Sequence, residues 1–130
     1  MKGFVDNIEE ITKEKNSFFR RVLYTSKHSQ LVVMCLKPGE EIGIEVYEKV
    51  DQFFRVDQGE GEIIIEEERT KIYDGYAVVV PAGSQHNVIN NGDADLKLYT
   101  LYSPPNHPDG TIHKTKAEAD EYEKSHHQPV

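Results

Sequence analysis

The chain has 130 residues, a formal net charge of −8 and a mean hydropathy of −0.64, with 37% hydrophobic and 29% charged residues. This length suits one domain with a single core, so we expect residues 1–130 to form one domain. The negative charge argues against nucleic acid and membrane surfaces as partners, because both attract basic side chains. No apolar run approaches the roughly 18 residues that span a bilayer. The N-terminus turns acidic at Asp6 before an apolar signal region can form, and we expect a cytoplasmic protein.

Short segments rich in β-branched and aromatic residues alternate with turns marked by Gly, Pro, Asn and Asp. These segments predict strands at residues 18–25, 31–36, 42–47, 51–56, 62–65, 69–73, 76–80, 86–89 and 96–103. Residues 42–47 alternate at period two, so their side chains should point to opposite faces. Many short strands separated by turns are typical of an all-β sandwich or barrel.

The chain changes character after residue 103. Residues 104–110 contain too many prolines for a central strand. Thr115 and Glu118 have the spacing of a capping box and predict a short helix from about Lys116 to Lys124. His107 and His113 flank this proline-rich loop, and either could cover the mouth of the barrel. We expect both, however, to be surface histidines without a role.

Five residues at fixed spacing then give the clearest motif. Gly75, Pro81, Gly83, His86 and Asn90 follow each other with five, one, two and three intervening residues. Glycine permits the tight turn into a strand, while proline and glycine end that strand and turn the chain. This segment resembles the second motif of the cupin superfamily at every defined position.

The first cupin motif is matched in spacing but not in chemistry. Gly39 and Gly59 stand at its two ends, and the positions between them that are typically histidine, histidine and glutamate are here Glu45, Tyr47 and Gln52. The resemblance covers about residues 31–103 and identifies the chain as a small single-domain cupin of the Cupin_2 type. It implies a double-stranded β-helix, or jelly-roll, barrel with its core at about residues 18–103, followed by a loop and short α-helix at 104–125. Such proteins are often described as mannose-6-phosphate isomerase-like, which reflects fold rather than activity.

In the family, two histidines, a glutamate and a third histidine bind a divalent metal inside the barrel. Carried over, the resemblance implies a metal site of Glu45, Tyr47, Gln52 and His86, with Glu45, Tyr47 and His86 as the catalytic residues. Carboxylate, amide and imidazole donors suit a single manganese, iron, nickel or zinc ion. Gln52 brings no charge, however, and the Tyr47 phenol would have to lose a proton whose ordinary pKa is about 10.

Two hypotheses of function follow. The first is a metal-dependent enzyme acting on a small polar metabolite, either sugar isomerase-like or oxygenase-like. The second is a metal-free barrel that binds a small, carbohydrate-like ligand without turnover, with the four polar residues bonded to one another. Such a network can also move protons through Glu45 or His86. Since Phe53 and Phe54 should point to opposite faces, one lies outside the barrel, and together with the resemblance this predicts a homodimer.

Overall fold

The computed structural model describes residues 3–125, which form a mostly β structure. Its strands, numbered in chain order, are β1 Arg20–Thr25, β2 Gln30–Leu36, β3 Asp51–Gln58, β4 Glu60–Ile65, β5 Glu68–Tyr73, β6 Ala77–Val80, β7 His86–Ile89, β8 Leu96–Ser103 and β9 Ile112–His113. Helix α1 (Ile8–Glu10) continues into a π-helical turn (Ile11–Lys15), and helix α2 is Lys116–Ser125. No helix within residues 3–125 is both long and apolar enough to span a membrane.

The strands form two antiparallel sheets. One has six strands in the order β6-β3-β8-β2-β1-β9, and the other has three in the order β5-β4-β7. Strand β8 is central to the larger sheet, pairing with β2 on one side and β3 on the other. This architecture, with one short C-terminal helix, confirms the predicted jelly-roll.

Side-chain alternation builds the core between the sheets. Along β8, buried and half-buried residues alternate through all eight positions. On β3, Phe54 is buried in the core, whereas Phe53 points to the other face and lies 6.3 Å from the ring of Tyr99. The predicted opposite orientation of the two phenylalanines is therefore confirmed. The core brings together residues from both sheets, among them Val32, Met34, Leu36, Phe54, Val56, Ile63, Ile72, Val88, Leu96, Leu98 and Tyr102.

Three local features differ from the sequence prediction. Residues 42–47 do not form a regular strand, because the segment pairs only at isolated bridges from Glu41 to Ile89 and from Glu45 to His86. Gly43 between them has φ +107, outside the strand region. The N-terminal helical turns were not predicted. Strand β9 was not predicted either, and its pairing with β1 places His113 opposite Arg20.

The turns of the second motif adopt the conformations that its glycines permit. Gly75 and Gly83 both have φ +89, a value that other residues rarely adopt. Asn90 is fully buried, and its side chain connects the end of β2 to the loop between β7 and β8. Its Nδ2 donates to the carbonyls of Leu36 and Ala94 at 2.8 and 2.9 Å, and its Oδ1 accepts from the Gly92 amide at 2.9 Å.

Helix α2 begins as its capping residues predict. The Glu118 amide donates to Thr115 Oγ1 at 3.1 Å, and the Glu118 carboxylate accepts from the amide of Lys114 at 3.0 Å, one residue before the expected partner. Ala119 on this helix is buried against the barrel core. The C-terminal segment therefore folds back onto the barrel.

We predict that Asn90→Ala lowers the free energy of unfolding by about 2–4 kcal/mol, because two carbonyls and one amide lose their partner in a buried site. Urea unfolding monitored by circular dichroism measures the change. The matched control is Asn91→Ala, since Asn91 is exposed, and it should change the free energy by less than about 0.5 kcal/mol. Equal effects of both substitutions would contradict the role of Asn90.

Candidate functional site

The structure brings the four predicted site residues together at one end of the barrel. Glu45 and Tyr47 belong to the irregular segment between β2 and β3, Gln52 lies on β3, and His86 begins β7. Two backbone hydrogen bonds, both 2.9 Å long, connect the amide and carbonyl of Glu45 to those of His86. These bonds fix the Glu45 backbone beside β7.

Glu45 connects the other polar side chains. The Tyr47 hydroxyl donates to Glu45 Oε2 at 2.6 Å. The other carboxylate oxygen, Oε1, has no hydrogen-bond partner among the described residues and lies 3.7 Å from His86 Nε2. Oε1 of Glu45 is therefore a hydrogen-bond acceptor that no described neighbour uses.

His86 is held from both sides of its ring. Nε2 lies 3.0 Å from Gln52 Oε1, and Nδ1 lies 3.1 Å from the carbonyl of Ser84. The Gln52 amide in turn donates from Nε2 to Thr100 Oγ1 at 3.1 Å. Both ring nitrogens face oxygen atoms, so a protonated ring donates to both and a neutral ring to one.

The four residues form two layers with respect to solvent. A cavity of about 330 Å³ opens against Glu45 and Tyr47, and the Glu45 side chain keeps 16% of its exposure. Gln52, 1% exposed, and the His86 side chain, 2% exposed, are not on the wall of this cavity. A molecule entering the cavity would therefore meet Glu45 and Tyr47, with Gln52 and His86 supporting them from behind.

The opposite wall of the cavity comes from the C-terminal segment. Asn106, His107 and Pro108 of the proline-rich loop line it, as do residues of α2 that include Lys116 and Glu123. The loop is fixed by Gln30, a buried residue of β2 whose side chain donates to the His107 carbonyl at 2.7 Å and accepts from the amides of Asn106 and His107. The cavity is therefore a space between barrel and helix.

A family model described as Cupin domain, Cupin_2, matches residues 32–102 of the chain. The chain belongs to the cupin family. It is 50% identical over 126 residues to the uncharacterized protein YrkC of Bacillus subtilis, which corresponds to 91% of this chain and 66% of YrkC. This cupin thus spans just under two thirds of that relative. It is 43% identical over 113 residues to an uncharacterized protein of Acanthamoeba polyphaga mimivirus, covering 84% of this chain and 70% of that protein.

Solved structures agree with this assignment. A crystal structure of a Bacillus halodurans protein is 44% identical, with a TM-score of 0.90 over 92% of this chain and 95% of that one. The structure of KdgF from Halomonas has a TM-score of 0.64 at 24% identity, covering 67% of this chain and 78% of that one. At that identity, the second likeness shows the cupin fold alone.

The polar set does not fit a resident divalent metal in this arrangement. Within residues 3–125, no cluster of three or more His, Cys, Asp or Glu side chains is placed to hold a metal ion. Burial, and then the neighbouring Glu45, raises the pKa of the Tyr47 phenol far above its ordinary value, so a phenolate ligand is not available near pH 7. Gln52 is neutral, and its oxygen is occupied by His86. Metal binding by these residues stays a prediction.

Burial alters the acid–base behaviour of Glu45 on the cavity wall. Burial raises the pKa of its carboxyl above the ordinary value, while the Arg20 charge and the hydrogen bond from Tyr47 offset part of that rise. A carboxyl with a raised pKa takes up a proton more readily than an exposed one.

Sequence reasoning missed the residues that complete the cavity. Arg20 lines it and is buried, although only its place in an adjacent Arg20-Arg21 pair was noticeable in the sequence. Its period-two relation to Val22, which is also buried, is the signal that could have placed Arg20 inside. The expectation that His107 and His113 are surface histidines was wrong, because His113 is buried and His107 is half-buried against the hydroxyl of Tyr102 at 3.2 Å.

His107 should make the protein less stable in acid. Burial lowers its pKa to about 3, below the value of about 6.5 in an unfolded chain. The unfolded state therefore takes up a proton first as the pH falls from about 6.5 towards 3, which lowers the free energy of unfolding by up to about 1.4 kcal/mol per pH unit. Urea unfolding at several pH values should show a flatter profile for His107→Asn than for wild type.

The control for this experiment is His28→Asn, since His28 is exposed. Its pH profile should run parallel to that of wild type. If the His107→Asn profile is also parallel to wild type between pH 4 and pH 6.5, burial of the His107 ring does not perturb its titration.

Proposed function

We propose that this cupin binds a small polar organic molecule in the cavity between the barrel and α2, without a resident metal. The observation that carries the proposal is Glu45 on the cavity wall, with Oε2 held by Tyr47 and Oε1 left without a donor among the described residues. A buried acceptor without a partner is costly, and a ligand hydroxyl or amide would supply the donor. The volume of about 330 Å³ lies at the lower end of ordinary small-molecule sites.

Tyr47 and His86 make the Glu45 carboxyl a positioned group. Tyr47 restrains one oxygen at 2.6 Å, and the backbone bonds to His86 restrain the main chain. A ligand therefore meets a carboxyl that has already lost most of its rotational freedom, which reduces the entropy cost of binding. The same carboxyl, with His86 Nε2 at 3.7 Å, has the chemistry of an acid–base pair if bound molecules react.

The second candidate is the metal-dependent enzyme, sugar isomerase-like or oxygenase-like, that the family resemblance implies. It is favoured by one observation, the approach of Glu45 Oε1 to 3.7 Å from His86 Nε2, because a carboxylate and an imidazole are two donors that Mn, Fe, Ni and Zn accept.

Metal content separates the two candidates. We expect untagged wild type, incubated with manganese, iron, nickel and zinc salts and then dialysed, to retain well below one metal ion per chain, because Tyr47 and Gln52 supply no anionic ligand. Inductively coupled plasma mass spectrometry measures the content. One ion per chain in wild type that is lost in both Glu45→Ala and His86→Ala would contradict the metal-free proposal.

Ligand binding is tested by thermal shift with a panel of neutral sugars, polyols and small carboxylic acids. At a ligand concentration of about five times Kd, binding stabilises the native state by about 1 kcal/mol, which corresponds to a Tm rise of about 4 °C. We expect such a rise with at least one member of the panel in wild type, and a smaller one in Glu45→Gln and Tyr47→Phe.

The matched control is Glu48→Gln, on an exposed residue of the same segment, and it should respond like wild type. If Glu45→Gln and Tyr47→Phe respond like Glu48→Gln to every compound that raises the Tm of wild type, the cavity wall at Glu45 is not the binding site.

A further inference from the structure

Arg20, the first residue of β1, borders the same cavity and is 3% exposed. Its Nη1 lies 3.3 Å from His113 Nδ1, and its guanidinium lies 5.3 Å from the centre of the Phe19 ring. Within residues 3–125, Arg20 forms no ion pair with a carboxylate, and its Nε has no hydrogen-bond partner. A charge buried in this way is unfavourable until an anion accompanies it.

We propose that Arg20 binds the carboxylate of a small organic acid held in the cavity. This inference rests on the proposed function, since it names the class of molecule that the same cavity takes. The ring of Phe19 and the imidazole of His113 hold the guanidinium in place. Its Nε is buried and has no hydrogen-bond partner among the described residues.

The other basic side chains at the cavity are already neutralised or neutral. Lys116 is paired with Asp120 on the next turn of α2. Burial, followed by the charge of Arg20, lowers the pKa of His113 and brings the pKa of His107 to about 3, so both rings are uncharged near pH 7. Among the described residues that line the cavity, Arg20 is therefore the cation that has no carboxylate within ion-pair distance.

The surrounding charges favour a carboxylate over a phosphate. Glu45 and Glu123 also line the cavity, and negative charge on them would repel a dianion more strongly than a monoanion. A planar carboxylate matches the planar guanidinium of Arg20 with paired hydrogen bonds. Since Glu45 and Tyr47 present hydrogen-bonding groups on the same cavity wall, the ligand class is a hydroxy monocarboxylic acid.

The test compares D-gluconate with sorbitol, which has the same six-carbon chain but no carboxylate, and with glycerol 3-phosphate. Isothermal titration calorimetry on wild type, Arg20→Met and the neighbouring control Arg21→Met gives the affinities. We expect gluconate to bind wild type at least about tenfold more tightly than sorbitol, as a charge-assisted pair allows. Arg20→Met should remove that preference, and Arg21→Met should keep it within about twofold.

Three results would overturn the inference, each in a distinguishable way. Equal binding of sorbitol and gluconate, unaffected by Arg20→Met, leaves a ligand-binding cavity without an anion site. Tighter binding of glycerol 3-phosphate that depends on Arg20 shows a phosphate site. Failure of gluconate, sorbitol and glycerol 3-phosphate alike to bind wild type contradicts both this inference and the proposed function.

A second measurement does not depend on the folding of Arg20→Met. In ¹⁵N-labelled wild type, the Nε–Hε resonance of Arg20, assigned with Arg20→Lys, should shift on titration with gluconate and stay in place with sorbitol. If gluconate shifts the backbone amide resonances of the cavity but not the Arg20 resonance, the acid binds elsewhere on the cavity wall.

Discussion

The arrangement of the site depends on the two backbone hydrogen bonds between Glu45 and His86. They join an otherwise irregular segment to β7. The segment carries Glu45 and Tyr47 of the outer layer, and β7 carries His86 of the inner layer. Because the segment pairs with the sheet only here and at Glu41, its intervening residues are free to curve around the cavity. A continuous strand would instead send alternate side chains outward along its whole length.

The inner layer of Gln52, His86 and Thr100 is a polar network inside a barrel whose other interior residues are mostly apolar. Such a network is stable only when its members satisfy one another, since an unpaired buried polar group costs more than the net gain of one hydrogen bond. With Glu45 and Tyr47 in place of two family histidines, the tyrosine satisfies one carboxylate oxygen of Glu45. The other oxygen, Oε1, is left without a partner among the described residues, so the network is satisfied except at this one acceptor.

Sequence patterns predicted the strands and the proximity of the four polar residues because both depend on local rules. The turn at Gly75 requires a positive φ, and the motif spacing carries His86 to the start of β7. Residues 42–47 were predicted as a strand because alternation at period two does not reveal that one glycine breaks the pairing. Arg20 and the C-terminal wall were missed because their contacts join residues far apart in the chain, such as Arg20 with His113, and no short-range pattern encodes such pairs.

The pairing of Arg20 with His113 also places a positive charge beside the cavity. In the family pattern the cation is an ion held by side chains inside the barrel, whereas here a guanidinium is fixed at the mouth by Phe19 and by His113 of β9. A guanidinium stays charged at any physiological pH, so its attraction for an anion does not depend on metal supply. With Glu45 and Tyr47 on the same wall, the proposed site would distinguish ligands by a carboxylate and a hydrogen-bonding group together. A neutral sugar offers only the hydrogen-bonding group, and a simple acid offers only the carboxylate. Either should therefore bind more weakly than a ligand that has both groups, and this difference in affinity is the basis of specificity.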